Sequence, residues 1–343
     1  MSAPDGPWLE IAGAPAVSGL RFRHLRDDAD IVAMIAVVDA AKAVDGFEQT
    51  RTPEAQRASL AAMDAPDGNA KVLIAEVDGL LVGWCAGFEQ GLRVDGVRSF
   101  GHDGFVRPDW RRQGIGGALL RASQVRLRRL AVLRDRGTER APAHLRAMVD
   151  EGERATMAML DGGGYDRVRT VFDMVRPDLE ALPDPTLPAG IEARPARRQD
   201  ALAIFHAVNE AMRDHWGWAP RSDERLMRSL DHPLMGQLDV WQVAWQGGEV
   251  VGGVLGYINA AENREYDRLR GYTERIFTRR PWRGRGVAKA LIARNLRLFA
   301  ERGMTEAALS VDAENASGAL RLYESVGFRT VHRAYIYERP LEL

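Results

Sequence analysis

Phe277-Thr278-Arg279-Arg280-Pro281-Trp282-Arg283-Gly284-Arg285-Gly286-Val287-Ala288-Lys289-Ala290-Leu291 joins a strand to a helix through a turn rich in glycine and arginine. The apolar pair Ile276-Phe277 reads as the strand's end. Beyond the turn, Ala288, Leu291, Ile292, Leu296 and Phe299 recur at helical spacing, with Arg294 and Arg297 off that stripe. A strand, a glycine turn and a helix start make an anion site. The first backbone N–H groups of a helix lack intrahelical partners, and the helix dipole adds partial positive charge there. Gly284 and Gly286 have no Cβ to hold a phosphate off the backbone, and Arg283 and Arg285 add side-chain charge. The spacing, Arg-x-x-Gly-x-Ala from Arg283 to Ala288, is neither a nucleotide P-loop nor Gly-x-Gly-x-x-Gly. A surface turn that merely caps a helix satisfies it equally well.

A second motif begins 32 residues after Arg283: Asn315-Ala316-Ser317-Gly318-Ala319-Leu320-Arg321-Leu322-Tyr323-Glu324-Ser325-Val326-Gly327-Phe328. The two motifs, in this order and at this distance, resemble the GNAT acyl-CoA N-acetyltransferase superfamily. The resemblance covers most of the C-terminal half. It implies a fold and a reaction, and says much less about the acceptor. By resemblance, Phe277, Thr278 and Arg279 pair with the pantetheine arm of acetyl-CoA like an added strand, and a backbone N–H there faces the thioester oxygen. The turn from Arg283 through Gly284, Arg285, Gly286, Val287 and Ala288 to Lys289 holds the pyrophosphate, with backbone N–H groups as the main donors. Asn315 reaches the cofactor arm; capping the helix that follows is its plainer role. Gly327 is best read as the residue that ends that helix, with Phe328 returning to the core.

Acetyl transfer to an amine needs a base and an acid. The resemblance makes Tyr323 the acid that protonates the departing thiolate. On reference values of about 10 for a phenol and about 8.5 for a thiol, that transfer is uphill by roughly 1.5 pH units. A core tyrosine on the face of Ala319, Leu322 and Val326 is the alternative. Glu274, two residues before Ile276, is the base; alternation along one strand would put Glu274, Ile276 and Thr278 on one face. An exposed strand residue is its alternative. In Asp214-His215-Trp216-Gly217-Trp218, the residues His215, Trp216 and Trp218 suit an amphipathic or sugar-like acceptor, or anchor a loop to the core. His215 has no partner at metal-ligand spacing, so no metal is expected.

The chain also repeats itself. Leu20-Arg21-Phe22-Arg23 answers Ile191-Glu192-Ala193-Arg194, and the hairpin signal Asp78-Gly79 answers Gly247-Gly248. Phe105-Val106-Arg107-Pro108-Asp109-Trp110-Arg111-Arg112-Gln113-Gly114-Ile115-Gly116 answers Phe277 to Ala288, at the offset of Gly286 minus Gly114, which is 172. Gly164-Tyr165 answers Gly327-Phe328 at an offset of 163. Pro183, Pro185 and Pro188 stiffen the join. The expected architecture is α/β (α+β): two tandem GNAT domains, each a mixed, mostly antiparallel sheet flanked by helices. Residues 18–178 form a first domain, 179–188 a linker and 189–343 the catalytic domain. The first domain keeps Val106, Arg111, Gln113, Gly114, Ile115, Gly116 and Gly117, a second CoA site. The offsets place Leu160 opposite Tyr323, Gly152 opposite Asn315 and His102 opposite Glu274, so that domain reads as degenerate. The two-domain plan resembles the mycothiol synthase family of tandem GNAT enzymes, in which the C-terminal half is the active one.

Composition narrows the class. The chain has 343 residues, 45% hydrophobic and 28% charged, with a net charge of −1, so nothing argues for nucleic acid or an anionic membrane. Cys85 is the single cysteine, in an apolar run that suits an inert buried thiol. No basic leader or membrane-length apolar run is evident, so a cytoplasmic monomer or homodimer is expected. Lysine occurs only at 42, 71 and 289, a bias of codon usage rather than of ligand. The function expected is an acetyl-CoA-dependent N-acetyltransferase acting on the primary amine of a small molecule. A protein or peptide amine, or a non-catalytic acetyl-CoA-binding regulator, are the alternatives.

Overall fold

The first repeat opens with β1 (Leu20–His24) and α1 (Asp28–Asp45). Asp27 caps α1 by accepting from the backbone N–H groups of Ala29 and Asp30, and Gly46 ends it at φ 76°. There follow α2 (Pro53–Ala62), β2 (Val72–Val77), β3 (Leu80–Leu92), β4 (Arg98–Val106), α3 (Ile115–Arg134), β5 (Ala143–Asp150), α4 (Arg154–Gly162) and β6 (Asp166–Arg176). The second repeat begins with β7 (Glu192–Pro195), α5 (Ala201–Ala211), α6 (Asp223–Arg228), β8 (Gln242–Gln246), β9 (Glu249–Val254), β10 (Tyr257–Ile258) and α7 (Ala260–Glu265). It closes with β11 (Arg270–Tyr272), β12 (Phe277–Thr278), α8 (Val287–Glu301), β13 (Glu306–Asp312), α9 (Ala319–Ser325) and β14 (Arg329–Pro340). The structure, a computed structural model, describes residues 8–63, 71–134, 140–315 and 318–342; Ala316 and Ser317 of the second motif lie outside them.

Both hairpin signals turn as expected. Asp78 and Gly79 (φ 47° and 86°), like Gly247 and Gly248 (55° and 89°), have positive φ at both central positions, which matches the twist of the flanking strands. They join β2 to β3 and β8 to β9.

The chain divides into two units, Met1–Val168 with Tyr335–Leu343, and Arg169–Ala334. The division falls within β6 and again within β14. Residues 179–188 belong to the second unit, where Leu179 is buried and Leu182 and Leu187 pack on its core.

In the first unit the strand order is β1-β2-β3-β4-β5 and then the end of β14. Neighbours are antiparallel from β1 to β4; β4 and β5 are parallel over Arg98–His102 and part beyond it. Cys85 is buried in β3, and burial pushes its thiol up to about 12, so it stays protonated and inert.

In the second unit one sheet runs β12-β9-β8-β7, antiparallel throughout. The other runs from the start of β14 through β6, β13 and β11 to β10, with β11 parallel to β13. The helical stripe foreseen for α8 is the one it buries: Leu291, Ile292, Leu296 and Phe299 have no exposed surface. Gly271 lets Phe299 close on the sheet, since a Cβ there would lie 2.6 Å from the ring. Both units are thus mostly antiparallel with one parallel pairing each and flanking helices, in one sheet in the first unit and two in the second.

Candidate active site

One strand departs from expectation, and the site is built on that departure. β11 pairs with β13 and β12 pairs with β9, so Thr273–Ile276 crosses from one sheet to the other and is not a strand. The continuous alternation of Glu274, Ile276 and Thr278 is corrected accordingly. Arg275 breaks it: its φ of 45° is left-handed, a conformation that costs a residue with a Cβ roughly 1–2 kcal/mol. The crossing is fastened on both sides, by Thr273 N to Ala308 O (2.8 Å) and by Leu255 N to Glu274 O (2.9 Å). Beyond it, β12 is an edge strand that pairs with β9 and leaves its other side free for an extended ligand.

Glu274 sits at this crossing, half-buried. Its Oε1 accepts from Ser310 N (3.2 Å), while Ser310 Oγ donates to Asp173 (2.7 Å). Burial, seconded by the charge of Asp173, outweighs that hydrogen bond and pushes the carboxyl up to about 7. Tyr323, on α9, is buried with its ring edge-on to Phe328 at 6.5 Å between centroids. Burial, and then the negative charge of Glu274, hold its phenol well above the usual range. Tyr257, stacked on Tyr272 at 4.9 Å, is raised by the same two causes.

At the glycine turn, Gly284 and Gly286 have φ of 72° and 84°, and a Cβ on either would meet nothing within 4 Å. The backbone conformation, not packing, demands glycine, and the space before the turn is open to an anion. Val287 begins α8 with its side chain in the core, so it offers a ligand only its N–H. Arg285 and Lys289 are exposed and Ala288 half-buried. Arg283 is otherwise occupied. Its Nε donates to Thr278 O (3.0 Å), Nη1 to Asp214 (2.8 Å) and Nη2 to Ala211 O (2.8 Å). Asp214 also receives Arg280 (3.0 Å), and the two guanidiniums hold its carboxyl far below the usual range. Arg279 donates to Glu210 (2.9 Å) and Val250 O (3.1 Å). These arginine side chains shape the turn and leave the backbone to the ligand. Phe277 lies in the core, and among the described residues the buried hydroxyl of Thr278 has no partner.

Asn315 Nδ2 donates to His215 Nε2 (3.0 Å), which joins the second motif to the Asp214–Trp218 cluster; burial pushes the imidazole pKa down and keeps it neutral. Gly318, at φ 75°, precedes α9 without a side-chain cap. Gly327 ends it as foreseen, at φ 91°, with Phe328 N bonded to Tyr323 O (3.0 Å) and Gly327 N to Glu324 O (3.0 Å). Trp216 lies under Arg169, 4.5 Å from ring centroid to guanidinium, and Trp218 packs on the core with its buried Nε1 unpartnered among the described residues.

The first unit holds a cavity of about 280 Å³ where β4 parts from β5, lined by Val106, Arg111, Gly114, Gly116 and Gly117 among others. Ile115 is buried at the start of α3, and Gln113 reaches back to Asp109 O at 3.5 Å. Arg111 forms a bidentate pair with Asp45 (2.7 Å) and donates to Val106 O (3.2 Å), a clamp like that of Arg283. Arg112 takes φ 62° where the second unit has Gly284. Leu160 is buried in Tyr323's place. His102 is spent in a chain: Gln124 donates to Tyr165 (3.0 Å), Tyr165 to His102 Nε2 (3.1 Å), and His102 Nδ1 meets Ser123 (3.0 Å). Burial pushes this histidine down to about 4. Glu153, also lining the cavity, is pushed up to about 7 by burial.

Sequence reasoning passed over Tyr257 and Asp173, because no motif marks them; only the fold brings them to Glu274.

A model of the acetyltransferase (GNAT) family matches residues 203–328, and one of an acetyltransferase (GNAT) domain matches residues 68–148. A mycothiol acetyltransferase of Thermobispora bispora is 30% identical over 230 residues, covering 65% of this chain and 70% of that one. One of Salinispora arenicola is 26% identical over 317 residues, 91% of this chain and 94% of that one. A crystal structure of a GCN5-related N-acetyltransferase from Sphaerobacter thermophilus is similar at a TM-score of 0.70 and 25% identity, over 94% of this chain and 96% of that one. A tandem GNAT protein from the clavulanic acid biosynthesis pathway shares the fold at a TM-score of 0.67 and 15% identity, over 94% and 99% of the two chains.

Proposed function

This chain belongs to the acetyltransferase (GNAT) family, and from that premise we propose that its second unit moves an acetyl group from acetyl-CoA to the primary amine of a small molecule. GNAT acetyltransferases use acetyl-CoA, and the residues present fit it. The free side of β12 suits an amide-rich arm, and the open space before Gly284 and Gly286 suits a pyrophosphate. Acetyl-CoA supplies the acyl group and a thiolate leaving group.

The observation that carries the reading is Glu274. It is a carboxylate near pH 7, pinned by Ser310 N at the sheet crossing and electrically coupled to Tyr323. An ammonium acceptor must lose a proton before it attacks, and a carboxylate raised to about 7 is a stronger base than an ordinary one. Tyr323 then protonates the departing sulfur. Its raised phenol makes that transfer uphill while Glu274 is charged. Once Glu274 holds the amine's proton, its negative charge is gone and that part of the increase goes with it. Base first and acid second is therefore the favourable order.

The names of the relatives support a small-molecule amine, as does the half-buried group of His215, Trp216 and Trp218. We also propose that the first unit binds CoA at its turn without turnover, supported by the cavity there and by Leu160 in place of the acid. Mass spectrometry of a mixed amine panel incubated with acetyl-CoA tests the reading. One acceptor gaining one acetyl group, with the signal lost in Tyr323→Phe, supports it; turnover indifferent to both Tyr323→Phe and Glu274→Gln removes the mechanism.

A further inference from the structure

We propose that the first unit carries a further binding site, for a single-chain amphiphile with an anionic head, a carboxylate or a phosphate, in the cleft between α3 and the segment from Leu9 to Ala12. This inference does not depend on the reading of the second unit. The cleft holds about 740 Å³, within the range of about 300–1,000 Å³ in which small-molecule sites fall. It is distinct from the cavity at the first turn, with which it shares only Cys85.

The sequence of α3 builds one wall. Arg121, Val125, Arg129 and Leu133 recur at every fourth residue, so they lie in one row along about 18 Å of helix. Ala122, Arg126 and Leu130 form the next row, and cation and hydrocarbon alternate along both. Val125 and Leu133 stand 52% and 47% exposed, apolar surface gathered in the wall of a cleft rather than scattered singly over the protein. In the opposite wall Leu9 and Ile11 are half-buried. That segment is held at both ends, by Leu9 N to Phe22 O (2.7 Å) and by Arg121 Nη2 to Gly13 O (2.9 Å). Between the walls the floor is apolar and buried: Leu73 from β2, Cys85 from β3 and Leu130 from α3.

The charge in the cleft is one-sided. Lys71, Arg121, Arg126 and Arg129 line it against a single acid among the described residues, Glu10. Elsewhere the first unit sets its arginines against acids: Arg51 on Asp103 (3.0 Å), Arg98 and Arg134 on Glu89 (2.7 Å each) and Arg111 on Asp45 (2.7 Å). Here Arg126 turns to the backbone at Gly87 O (2.6 Å), and Arg121 meets only the carbonyl of Gly13. Arg129, between Val125 and Leu133 in the row, has no hydrogen bond or ion pair among the described residues. A chain laid on the apolar floor carries its head to this rim, where a guanidinium takes a carboxylate or phosphate in bidentate fashion. A neutral or cationic chain gains the apolar burial alone. A short anion gains only an exposed pairing, which is worth little in water. The cleft therefore selects both parts on one molecule.

The test is calorimetric binding to the full-length protein saturated with CoA, which keeps the first turn's cavity from serving as the site. The probes are dodecanoate, dodecyl phosphate, dodecanol, dodecyltrimethylammonium and acetate, each kept monomeric. At least one anionic chain should bind, one per protein chain, about ten-fold or more tighter than dodecanol or the ammonium, and acetate should not bind. The two anionic probes separate carboxylate from phosphate. Arg129→Glu and Val125→Glu, both at exposed positions, should each weaken that binding about ten-fold or more with unchanged thermal midpoints. Arg128→Glu, exposed on the same helix but outside the cleft, should leave it unchanged. Neutral or cationic chains binding as tightly, no binding by either anionic chain, or an equal loss in Arg128→Glu overturns the inference. So does binding to anionic vesicles without binding to the monomeric chains, which would make this flank of α3 a membrane surface instead.

Discussion

Glu274 carries two consequences that share one cause. Because burial raises its carboxyl to about 7, the proposed role as base predicts that kcat/KM should rise with pH through that value as Glu274 becomes charged. Glu274→Gln should lower kcat/KM by about 10²–10⁴-fold and erase that limb of the profile, which steady-state kinetics from about pH 5 to 9 would show. The same shift acts on stability. The folded protein binds this proton more tightly than the unfolded chain, so stability falls as pH rises from the ordinary carboxyl range to about 7, and the loss is complete above it. Glu274→Gln should therefore melt at a higher temperature than the parent at about pH 8, with the gap closing towards pH 5. A catalytic group that weakens the fold where it works is the signature sought; a melting difference of the opposite sign would mean that the carboxylate is a structural partner. Tyr323→Phe keeps the ring against Phe328, so it should leave the melting temperature within a few degrees and lower kcat by about 10²-fold or more, if the phenol delivers the proton.

The glycine turns show what an element's local sequence reveals and what it hides. Their conformation was legible, because strand, glycine and apolar stripe lie within a few residues of each other. The hidden parts depend on partners far along the chain. Arg283 reads as a phosphate ligand until Asp214 and Ala211, 69 and 72 residues away, claim its guanidinium. Asn315 reads as a cap or a cofactor ligand, and nothing near it in the chain announces His215, 100 residues away, to which its side chain donates. The left-handed Arg275 leaves no mark in composition, so the continuous strand through Glu274 was the natural but incorrect expectation. The two turns differ at one informative position. Arg112 holds φ 62° where the second unit has Gly284, and a side chain in that region is strained. Arg112→Gly should thus stabilise the protein by about 0.5–1 kcal/mol, the relief of strain less the added freedom of the unfolded chain. In the other turn Gly286→Ala should cost about 1 kcal/mol by the same strain and raise the KM for acetyl-CoA, since the open space before it would gain a methyl group. Urea melts of the two variants should move in opposite directions.

At the scale of the whole molecule the duplication was legible from spacing, since both hairpins, both turns and both following helices recur in order. The division inside β6 and β14 was not, because strand partners are chosen by the fold and not by neighbouring residues. What the duplication leaves open is whether the halves do equal work. The first unit keeps a turn and a cavity of about 280 Å³, yet has Leu160 where the second has Tyr323, and its His102 is neutral and already hydrogen-bonded at both nitrogens. A histidine pushed down to about 4 is a weak base. Glu153, raised to about 7, is the one group in that cavity with a base's poise, but its two oxygens accept from Asp150 N (3.0 Å) and Thr156 Oγ1 (3.3 Å) as part of the start of α4. Binding without turnover is what such a set of groups supports. Gly116 offers a way to ask, because a Cβ there would only touch Met159 and Val106, both lining the cavity. Gly116→Leu should fill that cavity and reduce the number of CoA molecules bound per chain from two to one by equilibrium dialysis, while kcat stays within about two-fold. Gly286→Trp should do the reverse, abolishing turnover while one CoA still binds. If Gly116→Leu silenced the enzyme although the second turn remained loaded, the first unit would have to be counted as part of the catalytic machinery, and Glu153 would be the carboxylate to substitute next.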